Sequence, residues 1–132
     1  WVSWRFWHRP DVNDYIFLHS VDQAGLLACW SVLREVQGVL WICDVLWDGR
    51  GTESIEALLQ QVRVFASHKG CSRVSLWLEG DAELAAIVTS LGWQDGSHNH
   101  GVRLLMHAYD TTLDYQWIRS SLYITKADSD LI

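Results

Sequence analysis

The chain is poor in the features that mark several large classes of protein. No apolar run approaches the roughly 20 residues that a membrane-spanning helix needs, and no signal-peptide pattern opens the sequence, so a cytoplasmic protein is expected with no membrane partner. Basic residues are few. The ten Lys and Arg are scattered along 132 residues that carry a net charge of −6, which argues against a nucleic-acid partner, because phosphate binding wants a basic face. Cysteine is scarce and odd in number: Cys29, Cys43 and Cys71 are widely spaced in apolar surroundings and read as reduced core thiols. No internal repeat, low-complexity tract or linker interrupts the sequence, and no Ser/His/Asp or Cys/His nucleophile pattern is present.

Apolar residues, by contrast, make up 49% of the composition, and nine are tryptophan. That is enough to build one compact domain over residues 1–132 with a substantial core. The first residue is Trp rather than Met, which fits an excised domain or the C-terminal half of a larger chain. Trp1, Trp4 and Trp7 form a stripe at i, i+3, i+6 that a second copy or an upstream domain would cover; packing on the chain's own sheet is the plainer alternative.

Taken in order, residues 1–10 read as a short helix ended by Pro10. Tyr15 to His19 is a strand, Val21 to Gly25 a turn, and Leu26 to Arg34 a second strand. Glu35 to Gly38 then makes a hairpin turn into Val39 to Trp47, a near-continuous apolar run with β-branched and aromatic residues that reads as a buried central strand. These three strands form an antiparallel meander. Asp48-Gly49-Arg50-Gly51 breaks the run. A helical pattern follows with Ile55, Leu58, Leu59, Val62, Phe65 and Ala66 on one face; Thr52 is its N-cap, and Lys69 and Gly70 close it. Cys71 to Leu78 is the next strand, parallel to the central one because a helical crossover joins them. Asp81 caps a second helix that ends at Gly92. Trp93 to Asp95 starts another strand, Gly96 to Gly101 is a polar loop and Val102 to Tyr109 a long strand. Thr112 to Ser121 is open between helix and loop, and Leu122 to Thr125 is a short strand or docked tail. The fold class is mixed α/β, a mostly antiparallel twisted sheet of about six or seven strands with two main helices.

A strand that feeds a short Gly-containing loop and a helix N-terminus is a place where anions bind, because the first helical N–H groups lack intrahelical partners. With the element order established, and with Ser90-Leu91-Gly92-Trp93 ending the second helix, the chain resembles the GNAT N-acyltransferase superfamily over about residues 12–110. The resemblance implies an acyl-CoA, such as acetyl-CoA, lying between the strands at 39–47 and 71–78. Its pantetheine would pair with backbone near Cys43 to Val45. Its pyrophosphate would sit on the amides of Gly49, Arg50, Gly51, Thr52 and Ser54. The acyl carbonyl would be attacked directly by the amine of a small molecule or peptide. Asp44, a carboxylate inside the apolar central strand, is the candidate general base; the alternative is a carboxylate on an exposed or hydrogen-bonded face.

Three features depart from the family pattern. Arg50-Gly51-Thr52-Glu53-Ser54 keeps one glycine after Arg50. Asp48, Glu53 and Glu56 gather negative charge where a pyrophosphate would bind. Val88 stands where the family often has the tyrosine that protonates the leaving thiolate. These departures suit a second reading, a non-catalytic GNAT-like binding or assembly module. The His98-Asn99-His100 stretch has the spacing of metal ligands on a strand, but its flanking glycines favour a solvated turn, and no metal site is expected.

Overall fold

The computed structural model describes residues 6, 12–79, 81–94, 96, 114 and 124–125. They form a mixed α and β structure: strands β1 (Tyr15–Val21), β2 (Leu27–Val36) and β3 (Val39–Trp47), helix α1 (Glu53–His68), strands β4 (Arg73–Leu76) and β5 (Leu78–Glu79), helix α2 (Ala82–Ser90) and strand β6 (Ile124–Thr125). The four long strands make one sheet in the order β1-β2-β3-β4, and β5 and β6 make a two-residue ladder. The chain divides into two compact units, one holding residues Trp1–Leu78 and Ile124–Ile132, the other Glu79–Tyr123.

The antiparallel meander follows from its turns. Asp22 accepts through Oδ1 from the amides of Ala24 and Leu26 at 2.9 and 2.8 Å, an Asx turn that reverses the chain between β1 and β2. Between β2 and β3 the two loop residues, Gln37 and Gly38, both have positive φ, 52° and 75°. That is the type I′ geometry whose twist matches the flanking strands, and Glu35 Oε1 accepts from the Gly38 amide at 2.8 Å. The pair Val36 and Val39 closes the hairpin.

Helix α1 then crosses over, and β4 joins β3 in parallel. Its buried face is Ile55, Leu58, Leu59, Val62 and Ala66. Phe65, expected on that face, is half-buried and instead carries the Lys69 ammonium 5.7 Å from its ring centre. Both helices end in the same way. In α1 the Cys71 amide donates to the Ala66 carbonyl and the Gly70 amide to that of Ser67; in α2 the Trp93 amide donates to Val88 and the Gly92 amide to Thr89. This pair of bonds is the Schellman motif. It also explains why Trp93 and Gln94 are not in a strand, as the sequence suggests: the Trp93 amide is used to close the helix. At the other end of α2, Asp81 Oδ1 accepts from Leu84 N at 2.8 Å, a full N-cap.

The sheet of the first unit has core on both faces. Strand alternation puts Cys29, Ser31 and Leu33 on the α1 side, where Cys29 Sγ donates to the Ser54 carbonyl at 3.3 Å. The opposite side gathers buried Phe6, Tyr15, Val32 and Cys43, with Phe17, Trp30 and Trp41 packed around them. Phe6 meets Tyr15 and Phe17 edge-on, at ring-centre distances of 5.3 and 6.2 Å, the arrangement that aromatic quadrupoles favour.

The expected strand from Cys71 to Leu78 is two pieces, β4 and β5, separated at Trp77. The proposed strand at Val102–Tyr109, the N-terminal helix with Trp1, Trp4 and Trp7, the segment Thr112 to Ser121 apart from Asp114, and the His98–His100 stretch lie outside the described residues. No helix among the described residues is long and apolar enough to cross a membrane.

Candidate functional site

The site is built on an irregularity in the central strand. On the β2 side the register runs Leu33 opposite Ile42 and then Val32 opposite Asp44, which leaves Cys43 as an extra residue. This is a β-bulge; it bends its strand and increases the local twist. On the β4 side the ladder stops at the same place, with Ile42 opposite Leu76 as its last pair. Only four of the nine residues of β3 pair with β4. Beyond the bulge, from Cys43 to Trp47, β3 and β4 are no longer joined.

The bulge also moves Asp44. In a regular strand Cys43 and Asp44 would face opposite sides of the sheet. Here Asp44 is opposite Val32, and opposite residues share a face, so it joins the aromatic side together with Cys43. It is 3% exposed, and its Oδ1 accepts from the Val45 amide at 2.9 Å. Of the two alternatives the sequence leaves for Asp44, the structure shows a buried, hydrogen-bonded carboxylate. Ser31, 1% exposed, donates through Oγ to the Asp44 carbonyl at 3.0 Å, pinning the bulge from β2. Sequence reasoning missed Ser31; a hydroxyl inside an apolar strand is the same kind of signal that singled out Asp44.

The strand continues into the loop that precedes α1. Trp47 Nε1 donates to the Gly51 carbonyl at 3.0 Å, and Asp48 N to the Ala28 carbonyl at 3.0 Å. Asp48 Oδ1 accepts from Arg50 N at 2.9 Å, so one of the three suspect carboxylates is tied to the loop's own backbone. Thr52 occupies the N-cap position, but its hydroxyl makes no capping bond. Its backbone is in the αR region, φ −93° and ψ −14°, whereas side-chain capping uses extended angles that bring the oxygen over the helix start. Gly51 has φ +69°, and a Cβ placed there would lie 2.6 Å from Glu53 Oε2. The Glu53 carboxylate is therefore folded back over the loop beside the first turn. Ser54 Oγ is buried there without a hydrogen-bond partner.

Cys43, Asp44 and Val45 thus lie on the part of β3 that β4 has left, and Gly49 to Ser54 form the loop and helix start that follow. Val88, in the second unit, is a buried residue of α2. No cluster of three His, Cys, Asp or Glu able to hold a metal occurs among the described residues.

No protein-family model and no curated protein sequence matches the chain. Among solved structures, it is similar to a crystal structure of a mutant of the BH1408 protein from Bacillus halodurans, with a TM-score of 0.58 and 16% identity over 70% of this chain and 67% of that one. The likeness is one of fold. It shows that a known protein shares this arrangement of strands and helices, and it carries no activity with it.

Proposed function

We propose that this chain is a GNAT-like, acyl-CoA-dependent N-acyltransferase domain that passes an acyl group directly to an amine in the cytoplasm. One observation carries the reading: the bulge at Cys43 and the end of the β3–β4 ladder at Ile42 coincide. Past Ile42 β4 no longer accompanies β3, and the resemblance to the family implies that an extended, amide-containing chain such as pantetheine lies along this part of the strand. The opened strand leads into a loop of positive-φ glycines, Gly49 and Gly51, and a helix start with no side-chain cap, which suits the phosphate end. The residues present therefore fit an acyl-CoA along the strand and at the helix start, provided that Glu53, which is exposed, swings off Gly51.

Bound acyl-CoA would supply an activated thioester. The chain's own part is to align the amine and to take its proton. Asp44 would take the proton that the attacking amine loses as its nitrogen gains the acyl group, and the sulfur of the thioester would leave as thiolate. Calorimetric titration with acetyl-CoA tests the reading: saturable heat is expected, and no heat at millimolar ligand would remove its support.

The folded-back Glu53 favours a second reading, a GNAT-like module that keeps the fold for binding or assembly without catalysis. Dimerisation that persists at low micromolar concentration and is lost when Trp4 and Trp7 are changed to Ala would support it. A monomer in light scattering would count against it.

A further inference from the structure

Two exposed Asx turns among the described residues share one geometry and differ in the residue that follows the aspartate. In the β1–β2 turn Asp22 Oδ1 accepts from the amide of Ala24, two residues on, at 2.9 Å. In the loop before α1 Asp48 Oδ1 accepts from the amide of Arg50, again two residues on and at 2.9 Å. Such a bond curls the side chain back over the peptide that follows it, which brings the carboxyl carbon, Cγ, toward the nitrogen of the next residue. After Asp22 that residue is Gln23, whose side chain crowds the approach. After Asp48 it is Gly49, which has no Cβ to do so and which holds φ at +74°. Asp48, Gly49 and Arg50 are all exposed, so water reaches the linkage between them. The loop is tied down around it: the Asp48 amide donates to the Ala28 carbonyl and Trp47 Nε1 to the Gly51 carbonyl, both at 3.0 Å. The amides on either side of Gly49 are thus engaged, and the Asp48 carboxyl is kept over the one that lies between them.

We propose that Asp48-Gly49 is a site of covalent self-modification, at which the aspartate cyclises onto the Gly49 amide and reopens as isoaspartate. The Gly49 nitrogen attacks Cγ of the protonated carboxyl group. The N–Cγ bond forms, a Cγ–O bond breaks, and the proton from nitrogen leaves with the hydroxyl as water. Water then adds to one of the two carbonyl carbons of the cyclic imide. Cleavage of the N–Cγ bond restores aspartate. Cleavage of the bond between nitrogen and the main-chain carbonyl carbon routes the chain through Cγ and frees that carbonyl carbon as a carboxylate. Water is the only co-reactant, and the mass of the chain is unchanged. The product loop is longer by one main-chain carbon, and the carboxylate that accepted from the Arg50 amide has become a peptide carbonyl, so the segment that leads into α1 is remodelled. No step involves acyl-CoA.

The test is incubation of the whole folded chain for several weeks at neutral pH and physiological temperature in heavy-oxygen water, followed by peptide mapping with mass spectrometry. The mapping must separate the Asp48 peptide from the one that holds the second Asp-Gly pair of the sequence, Asp95-Gly96. The Asp48 peptide is expected to split into two chromatographic peaks, the new one carrying one heavy oxygen atom and accepting a methyl group from an isoaspartyl carboxyl methyltransferase. It should convert at least tenfold faster than the peptide with Asp22. Gly49→Ala, whose added Cβ meets nothing within 4 Å, should slow the conversion several-fold, and Asp48→Glu, which would have to close a larger ring, should abolish it. Circular dichroism before incubation shows whether each variant is folded; if Gly49→Ala is not, Asp48→Glu and the Asp22 comparison decide. No isoaspartate at Asp48, equal conversion at Asp22 and Asp48, or a signal that persists in Asp48→Glu overturns the proposal.

Discussion

Removing the negative charge of Glu53 should strengthen acyl-CoA binding while weakening the fold slightly. The Glu53 carboxylate lies over Gly51, with Oε2 2.6 Å from where a Cβ would stand, beside the amides proposed to receive the pyrophosphate. Two like charges 4 Å apart repel by about 1 kcal/mol in bulk water and about 4 kcal/mol at an effective dielectric of 20. Glu53 is exposed, so the lower figure applies. With two charges on the pyrophosphate the relief in Glu53→Gln is about 1 to 2 kcal/mol, or roughly five- to thirtyfold in affinity at low salt. Screening should shrink the gain as ionic strength rises toward 0.15 M, where the Debye length is about 8 Å. The same carboxylate sits in the first turn of α1, where it complements the helix dipole, so the variant should lose about 0.3–1 kcal/mol of stability. Calorimetry with acetyl-CoA at two salt concentrations, paired with urea unfolding, reads both quantities. A variant that binds acetyl-CoA no better than the parent at low salt would refute the placement of the phosphate at this helix start.

Other substitutions test the structural account. Ser31→Ala removes the hydrogen bond from Oγ to the Asp44 carbonyl and should cost about 1 kcal/mol in urea unfolding, the net contribution of a typical intramolecular hydrogen bond; a neutral result would mean that this bond does not hold the bulge. Gly51→Ala forces a side chain onto φ +69° and should destabilise by about 1–2 kcal/mol, while Gly51→Asn, which tolerates that region better, should cost less. Leu59→Ala, 1% exposed in the parent, should lose about 2–5 kcal/mol through the cavity that it leaves under α1. Asp81→Ala should lower the melting temperature through the loss of about 1 kcal/mol of capping, a loss that Asp81→Ser should largely avoid.

Much of this architecture is legible in the sequence because it is written in local signals. The glycine of the β2–β3 turn, the apolar spacing of α1 and the Gly92 stop of α2 each specify their element without reference to the rest of the chain. The bulge is not legible in that way. Register is a property of two strands, and nothing within Ile42-Cys43-Asp44 says that Val32 and Leu33 will face Asp44 and Ile42 with Cys43 left over. The split of the strand after Leu76 shares this cause, since β4 follows β3 only as far as the bulge. Thr52 takes the N-cap position as the sequence suggests, but without a side-chain bond: such a bond needs extended backbone angles, and here the residue is in the helical region. Sequence reasoning did place carboxylates around the loop, but it did not separate Asp48, bonded to the loop's own Arg50 amide, from Glu53, which lies across Gly51.

The central claim is that an acyl-CoA lies along β3 beyond its last pair with β4 and ends at the start of α1. The most direct measurement is the change in backbone amide NMR shifts on titrating the labelled chain with acetyl-CoA. The account predicts saturable changes concentrated in residues 43–45 and 49–54, with little change in the β1–β2 turn at 22–25. Saturable changes confined to other segments, or none at millimolar ligand, would contradict it.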